Sequence, residues 1–310
     1  RNLPGSKGDL GRAQRLALYS SELDHYSIKK NAGMIGLGRD TIVTIATDDR
    51  GRMRPDALEE QITRDCSEGV LPVMINATSG TTVQGAFDPL NDIADVAQRH
   101  GVWMHVDAAF GGTMLMHPEH KRLLDGAHRA QSFTWDAHKM MGVPLICSVV
   151  LFPERGVLTR NFDESADYLF QADGDELNPG RMSIQCGRRN DALKLWAAWQ
   201  HLGDEGWARR IDRQIALRDH AVSIIDADPG MTLVKQPQSV NVCFEIDGAP
   251  ADEVCDLLDE AGRQKIGWAT VDGKRIVRAV FLNPDLDNGA IDGLFEDLRW
   301  AAAQLAPARS

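Results

Sequence analysis

Polar side chains that could do chemistry follow three predicted strands in the first half of the chain. Thr81 and Thr82 follow one strand, Asp107 ends the next, and His138 with Lys139 comes after a third. In an open α/β sheet, the carboxyl ends of the parallel strands lie at one edge, and ligands bind there. We therefore expect these side chains to converge on one site.

The chemistry suggested by this set is that of an electron-sink cofactor. A lysine amine in a low-polarity site can form an imine with a carbonyl compound. A buried carboxylate such as Asp107 keeps a pyridine nitrogen protonated, and His138 can bind a phosphate or move a proton. Taken singly, a strand-ending Asp is usually a turn or capping residue, and a Lys in a loop is usually solvated. Asp107 and Lys139 together suit pyridoxal phosphate.

The elements that must position these residues alternate between strand and helix. Short apolar strands separated by helical patterns of this length are typical of βαβ units and a mostly parallel sheet. Pro55 is well placed to open a helix, because proline is tolerated in a first helical turn. The predicted strands are 16–20, 41–46, 71–77, 102–106, 132–135 and 147–152, and the predicted helices are about 26–37, 55–67 and 89–100.

The second half of the chain has a different pattern, which predicts an α+β unit. Two amphipathic helices come first, and a pair of strands around Asp272-Gly273 comes near the end. The boundary between the halves is expected between about Arg160 and Asn190. The predicted helices are 191–202, 207–226, 251–263 and 289–305, with a further strand at 241–246.

Composition excludes several classes of protein. The chain has 310 residues and a net charge of −11, which argues against a nucleic-acid surface, because phosphate contacts need clustered Lys and Arg. Apolar residues occur in short runs, so no membrane span is expected. The five cysteines are widely separated, without metal-ligand spacing. We expect no metal site and a reducing, cytoplasmic setting.

Seven segments of the chain, in order, resemble the group II pyridoxal-phosphate-dependent decarboxylases. The similarity is greatest to the branch that contains glutamate decarboxylase and cysteine sulfinate decarboxylase. The segments are 76–82 (NATSGTT), 85–90 (GAFDPL), 105–109 (HVDAA), 135–142 (WDAHKMMG), 168–171 (YLFQ), 185–189 (QCGRR) and 241–244 (NVCF).

This resemblance implies the aspartate-aminotransferase-like arrangement, fold type I, an α/β fold with a mostly parallel sheet. Residues 1–180 would form part of the large domain that binds pyridoxal 5'-phosphate, and residues 181–310 the smaller C-terminal α+β domain with its connecting helices. Family members carry a longer N-terminal region, which includes a phosphate-binding loop. We therefore expect that the front of the large domain is missing from this chain.

The resemblance also assigns the cofactor-binding residues. Lys139 would carry the cofactor as a Schiff base, and His138 would contact the cofactor phosphate. Asp107 would pair with the pyridinium nitrogen. Ala109 would touch one face of the ring, and the imidazole of His25 would stack on the other face.

Three further residues are implied in handling the substrate. Thr82 would lie near the cofactor's phenolic oxygen and the substrate carboxylate, and Tyr168 would return a proton to the substrate carbon. Arg278 would hold a substrate carboxylate. An inward-facing guanidinium among apolar neighbours needs an anionic partner. Arg278 could instead lie on the exposed face of an edge strand, and related aromatic decarboxylases also carry an arginine near this position.

Asp136-Ala137 stands where mammalian-type members have Asn-Pro. Because a carboxylate repels a phosphate, we expect Asp136 to be turned away from the phosphate, hydrogen-bonded to the backbone, or protonated, and we do not assign it as a ligand.

The function that these residues predict is decarboxylation of a small acidic L-amino acid (glutamate, aspartate or cysteine sulfinate) to an amine and carbon dioxide, by a homodimer with active sites at its interface. The alternatives are an aromatic or diamino-acid decarboxylase, a carbon–sulfur lyase, or a catalytically silent partner subunit.

Overall fold

A computed structural model describes residues 15–163, 178–185 and 187–305. Its first sheet has six strands: β1 (Leu16–Ser21), β2 (Ile42–Ile45), β3 (Leu71–Thr78), β4 (Trp103–Asp107), β5 (Ser132–Asp136) and β6 (Ser148–Leu151). Their order in the sheet is β2-β1-β3-β4-β5-β6. All neighbouring pairs are parallel except β5 and β6, so the predicted α/β fold with a mostly parallel sheet is confirmed.

Three helices connect these strands at the predicted places: α1 (Ser27–Met34), α2 (Pro55–Ser67) and α3 (Leu90–His100). The short α4 (Val157–Phe162) follows β6 and was not predicted. Pro55 opens α2, as expected for a residue without an N–H to satisfy. Gly101 ends α3 in the left-handed conformation at φ 62°, which glycine adopts without strain.

The connection between β4 and β5 contains short 3₁₀ helices that were not predicted from the sequence. They span Gly111–Met116, His120–Leu124 and Ala127–Arg129. Each is too short for a hydrophobic period to reveal it.

The second half begins with a long helical segment, α5 (Ala192–Ala227), in which Gly203 has non-helical torsion angles (φ 64°, ψ 179°). This break separates the two helices that the sequence predicts. The elements that follow are β7 (Met231–Leu233), β8 (Asn241–Ile246), α6 (Ala251–Glu260), β9 (Gly267–Val271), β10 (Lys274–Val280) and α7 (Asn288–Leu305). The four strands form an antiparallel sheet in the order β7-β8-β10-β9.

The α5 segment contributes to two hydrophobic cores. Trp207 and Ile211 pack into the core of the first sheet. Leu217 and Ile225 pack into a second core around Phe244 and the helices α6 and α7. The first core supports the edge of the first sheet where the predicted site residues lie. Among the described residues, no helix is long and apolar enough to cross a membrane.

Candidate active site

A cavity of about 320 Å³ lies at the carboxyl ends of β3, β4 and β5. This is where the strand-end argument predicted a site. Five of the predicted residues line the cavity: His25, Thr82, Asp107, Ala109 and Lys139. They come from four separate parts of the chain, and the fold of the first sheet brings them together.

Asp107 is the last residue of β4 and is half-buried. Its Oδ1 accepts a hydrogen bond of 3.1 Å from the backbone N–H of Ala109, which orients the carboxylate. His105 precedes it by two residues on the same face of the strand and also lines the cavity. Burial lowers the pKa of His105, which favours the neutral imidazole at neutral pH. Asp107 is therefore the charged group that β4 contributes to the cavity.

Lys139 lies in the tight turn after β5. Its backbone N–H donates to the carbonyl of Asp136 (3.0 Å), and its own carbonyl accepts from Gly142 (3.0 Å). The Nζ atom lies 3.1 Å from Oδ2 of Asp136. The turn thus directs the amine into the cavity, next to a carboxylate.

Of the arrangements expected for Asp136, a side chain turned away from the site is not the one observed. Its side chain is 13% exposed and lines the cavity. The electrostatic reason is the ammonium group of Lys139, which gives the carboxylate a partner inside the site.

His138 does not line the cavity and lies beside it. Its Nδ1 is 3.1 Å from both the N and the O atoms of Cys147, so one backbone residue orients the ring. Its Nε2 is 3.8 Å from Oδ2 of Asp136, which is beyond hydrogen-bond distance. The imidazole is therefore held at the cavity margin, with Nε2 on the side of Asp136.

His25 follows β1 and lines the cavity. Its Nδ1 accepts from the backbone N–H of Ser27 (3.3 Å) and lies 2.8 Å from Ser27 Oγ. Because the backbone N–H must donate, the ring proton is on Nε2. The ring is thereby fixed in orientation and tautomer.

Arg278 and Thr82 connect the second sheet to this site. Nε of Arg278 donates to the carbonyl oxygen of Thr82 at 2.9 Å, and Nη2 donates to the same atom. Asn241 Nδ2 donates to the carbonyl oxygens of Thr82 and Val83, both at 3.1 Å. Arg278 lines a neighbouring cavity, and burial lowers its pKa. The guanidinium therefore lies next to the site but not in its wall.

Tyr168 lies outside the described residues. His105 and Thr134 are among the cavity residues that were not proposed as functional from the sequence. The two-residue period of a strand places His105 on the same face as Asp107, so the position of His105 could have been predicted.

One cluster of possible metal ligands, His117, His120 and Asp212, lies apart from the cavity. The Nδ1 atom of His117 accepts from the backbone N–H groups of Glu119 (3.1 Å) and His120 (3.2 Å). Its Nε2 therefore carries the proton and donates to Asp212 at 2.8 Å. A metal at Nε2 would require loss of that proton, so this geometry is that of a hydrogen bond between the 3₁₀ region and α5.

Comparison with known proteins identifies the family. The profile of the pyridoxal-dependent decarboxylase conserved domain matches residues 7–247. Human cysteine sulfinic acid decarboxylase is 47% identical over 233 residues, covering 74% of this chain and 47% of that protein. Bovine acidic amino acid decarboxylase GADL1 is 37% identical over 306 residues, covering 92% of this chain and 59% of that protein. The chain belongs to the pyridoxal-dependent decarboxylase family.

Solved structures agree with this assignment. The crystal structure of mouse CSAD has a TM-score of 0.91 and 38% identity, covering 96% of this chain and 66% of the other. Oryza sativa TDC, solved with PLP and tryptamine, has a TM-score of 0.90 and 26% identity, covering 98% and 65%. The predicted fold type I is thereby confirmed. The chain spans about half the length of the cysteine sulfinic acid decarboxylases that it matches, 47% in the human protein.

Proposed function

We propose that this chain provides the cofactor-binding part of a pyridoxal 5'-phosphate-dependent carboxy-lyase that acts on a small acidic L-amino acid. The candidate substrates are glutamate, aspartate and cysteine sulfinate. The observation that carries the proposal is the position of Lys139 and Asp107 on the wall of one cavity. These two groups are the amine and the carboxylate that the cofactor chemistry needs.

The donor set fits this cofactor. When bound, pyridoxal phosphate supplies an electron sink for the electron pair that a departing carboxylate leaves. Asp107 would hold the proton of the pyridine nitrogen, and Lys139 would bond covalently to the aldehyde. Ala109, whose small side chain leaves room for a ring, and His25 would lie against the two ring faces. His138 would donate to the phosphate.

Arg278 and Thr82 would recognise the substrate. The guanidinium of Arg278 is satisfied here by a neutral carbonyl oxygen, and a carboxylate or sulfinate is a stronger acceptor for it. An acidic side chain is therefore favoured over an aromatic one. The names of the relatives, cysteine sulfinic acid decarboxylase and acidic amino acid decarboxylase, support the same preference. We assign to Tyr168 the return of a proton to the substrate carbon.

We also propose that the protein is a cytoplasmic homodimer, with residues 1–180 and 181–310 as its two domains. The separate cores of the two sheets support two domains, with Trp207 and Ile211 of the connecting helices packing into the first core. Several large apolar side chains are exposed, including Ile146 at 64% and Trp196 at 60%, and a second subunit would cover them. Cys147, Cys243 and Cys255 are free and buried, as expected in a reducing compartment.

The decisive experiment is trapping of the cofactor. The protein is mixed with pyridoxal phosphate and reduced with borohydride, and the modified peptide is identified by mass spectrometry. We expect the label on Lys139 and its absence in Lys139→Arg. Lys194→Arg is the matched control, since Lys194 also pairs with an aspartate three residues before it. Label on other lysines but not on Lys139 would refute the cofactor assignment.

The substrate preference is tested by measuring carbon dioxide release from each of the three acidic amino acids. Tryptophan and diaminobutyrate are measured separately as competitor substrates, because they represent the aromatic and diamino-acid alternatives. Faster release from either competitor would refute the acidic preference. Labelling of Lys139 without release from any substrate would favour the silent partner subunit.

A further inference from the structure

We propose that His105 is a positioning residue that orients the Asp107 carboxylate in the cavity. Hydrogen bonds from Trp103 through Ser132 would hold the His105 imidazole as the Nε2–H tautomer. The Nε2–H group would then act on Asp107 through the hydroxyl of Thr134. The inference rests on the proposed function, because it adds residues to the site at which Asp107 would meet the cofactor.

The register of β4 and β5 places these side chains on one face of the first sheet. His105 pairs with Ser132, and Asp107 pairs with Thr134. Successive side chains of a strand point to opposite faces, so Trp103, two positions before His105, lies on the same face as His105 and Asp107. The row therefore runs from the amino end of β4 to the cavity at its carboxyl end.

The first two hydrogen bonds of the row have one direction. An indole N–H can only donate, so Trp103 Nε1 donates to Ser132 Oγ at 2.8 Å. Ser132 Oγ also lies 2.8 Å from His105 Nδ1. Ser132 is 6% exposed, and a buried hydroxyl proton needs an acceptor. Of the two partners of this hydroxyl in the described part of the chain, only the imidazole can accept. The serine therefore donates, and His105 Nδ1 accepts.

The proton of the His105 imidazole is thereby placed on Nε2. Burial lowers the pKa of His105, although the charge of Asp107 acts in the opposite direction, so the ring is neutral at neutral pH. A neutral imidazole has one N–H group, and the hydrogen bond that one nitrogen makes decides which nitrogen carries it. Nε2 lies 3.4 Å from Thr134 Oγ1, and both residues line the cavity.

The Asp107 carboxylate needs a second donor to fix its plane. On one side, Oδ1 accepts from the backbone N–H of Ala109 at 3.1 Å. The last torsion angle of an aspartate is broad, so one donor leaves the carboxylate free to turn. The hydroxyl of Thr134 accepts from His105 and keeps its own proton to donate, and Asp107 is its neighbour across the strands. A charged acceptor at the end of such a chain strengthens each of its hydrogen bonds.

The tautomer is tested in cofactor-free, full-length protein with ¹⁵N-labelled histidine. Two-bond ¹H–¹⁵N correlation spectra distinguish the two tautomers, and the signals of His105 are those that His105→Gln removes. We expect an unprotonated Nδ1 and a protonated Nε2. In Ser132→Ala, which lacks the donor to Nδ1, the two nitrogen shifts should approach each other because both tautomers become populated. Ser67→Ala, at an exposed serine of α2, is the control and should leave these signals unchanged. An Nδ1–H tautomer or an imidazolium in the wild type would overturn the proposal.

The effect on the site is measured as carbon dioxide release by the full-length protein loaded with pyridoxal phosphate. The substrate is the acidic amino acid that the wild type uses fastest. His105→Phe keeps a ring and removes the N–H, and it should lower kcat about three- to tenfold. KM should stay unchanged, because no contact with the substrate is removed. His105→Gln, whose amide N–H lies near the position of Nε2, should restore most of the rate.

The decisive comparison uses the Asp107→Asn background. Because His105 would act through the Asp107 carboxylate, His105→Phe should slow Asp107→Asn by less than about twofold. A general loss of packing would slow both backgrounds alike, and equal losses would overturn the inference. If His105→Phe does not fold, Thr134→Val replaces it, since this variant removes the last hydroxyl of the chain and should show the same dependence on Asp107.

Borohydride labelling of Lys139 separates this inference from the proposed function. Missing label on Lys139 in the wild type would refute the proposed function, and the positioning role would fall with it. Label on Lys139 together with an Nδ1–H tautomer of His105, or with equal losses in the two backgrounds, would overturn the positioning role alone.

Discussion

Replacing Asp88 with asparagine should remove a loss of stability that the protein undergoes as the pH rises from 5 to 8. Asp88 is 2% exposed. Its carboxylate accepts the backbone N–H groups of Met53 and Thr78, both at 2.7 Å. Burial raises the pKa of Asp88 from 3.8 to about 7, although the two N–H donors act in the opposite direction. The folded protein therefore holds a proton on Asp88 that the unfolded chain has already released.

The sign and size of the effect follow from linkage. Between the unfolded and folded pKa values the native state binds more protons, so stability falls as the pH rises. Each pKa unit corresponds to about 1.4 kcal/mol. With the ordinary value of 3.8 and the folded value of about 7, ionisation of Asp88 costs about 2.5 kcal/mol more at pH 8 than at pH 5.

Other groups must be separated from this contribution. Carboxylates with a lowered pKa, such as Asp48, lose their stabilising effect only below about pH 5. Burial lowers the pKa of His105, so as the pH falls the unfolded chain takes up a proton at this residue before the folded protein does. The contribution of His105 to stability therefore rises with pH, in the direction opposite to that of Asp88. We therefore compare the free energy of unfolding of the wild type with that of Asp88→Asn at each pH. The contributions of the other groups cancel in this difference.

The assay is urea unfolding at pH 5, 6, 7 and 8. The asparagine cannot accept both N–H groups equally well, so the substitution should lower the free energy of unfolding by about 1–3 kcal/mol at every pH. On top of that constant, the variant should lose less stability than the wild type between pH 5 and 8, by about 2.5 kcal/mol. Asp95→Asn, at an exposed ion pair with Arg129, is the control. A pH-independent difference between wild type and Asp88→Asn would refute the reasoning.

Three further substitutions test the candidate active site and the stability of the fold around it. Asp107→Asn should slow carbon dioxide release about 10- to 100-fold, since hydrogen bonds between charged groups contribute about 1.5–3 kcal/mol; release at the wild-type rate would contradict the role of the carboxylate. Arg278→Gln should raise KM for an acidic substrate about 10- to 100-fold while borohydride labelling of Lys139 stays unchanged. Gly80→Ala should lower stability by about 1–3 kcal/mol in urea unfolding, because Gly80 has φ +89° and an added Cβ would lie 2.7 Å from Gly111 N.

The sequence predicted most of the fold because its strong signals are local. Pro55 opens a helix, Gly101 ends one, and Asp272-Gly273 forms the turn of a hairpin with positive φ at both residues. The strand Met231–Leu233 was missed because three residues are too few to display an alternating pattern. Its pairing with β8 is a tertiary contact, which local propensity does not encode.

The site was predictable in position but not in charge arrangement. The strand-end rule placed Asp107 and Lys139 at one edge of the sheet, and both line the cavity. The orientation of Asp136 depends on the balance between the attraction of Lys139 and the repulsion of a phosphate. That balance needs a distance, 3.1 Å between Asp136 Oδ2 and Lys139 Nζ, and no sequence pattern contains it.

The loop that carries Thr82 is the point where the two sheets meet at the site. The carbonyl oxygen of Thr82 accepts hydrogen bonds from Arg278 on β10 at 2.9 Å and from Asn241 on β8 at 3.1 Å. An anionic group that arrives beside Thr82 competes for the guanidinium, because a charged acceptor binds it more strongly than a carbonyl does. Asn241 would still hold the carbonyl oxygens of Thr82 and Val83, so the loop would keep its position if Arg278 turned to the anion. Under the substrate role proposed for Arg278, the second sheet would therefore have one side chain that holds the loop and another that responds to the substrate.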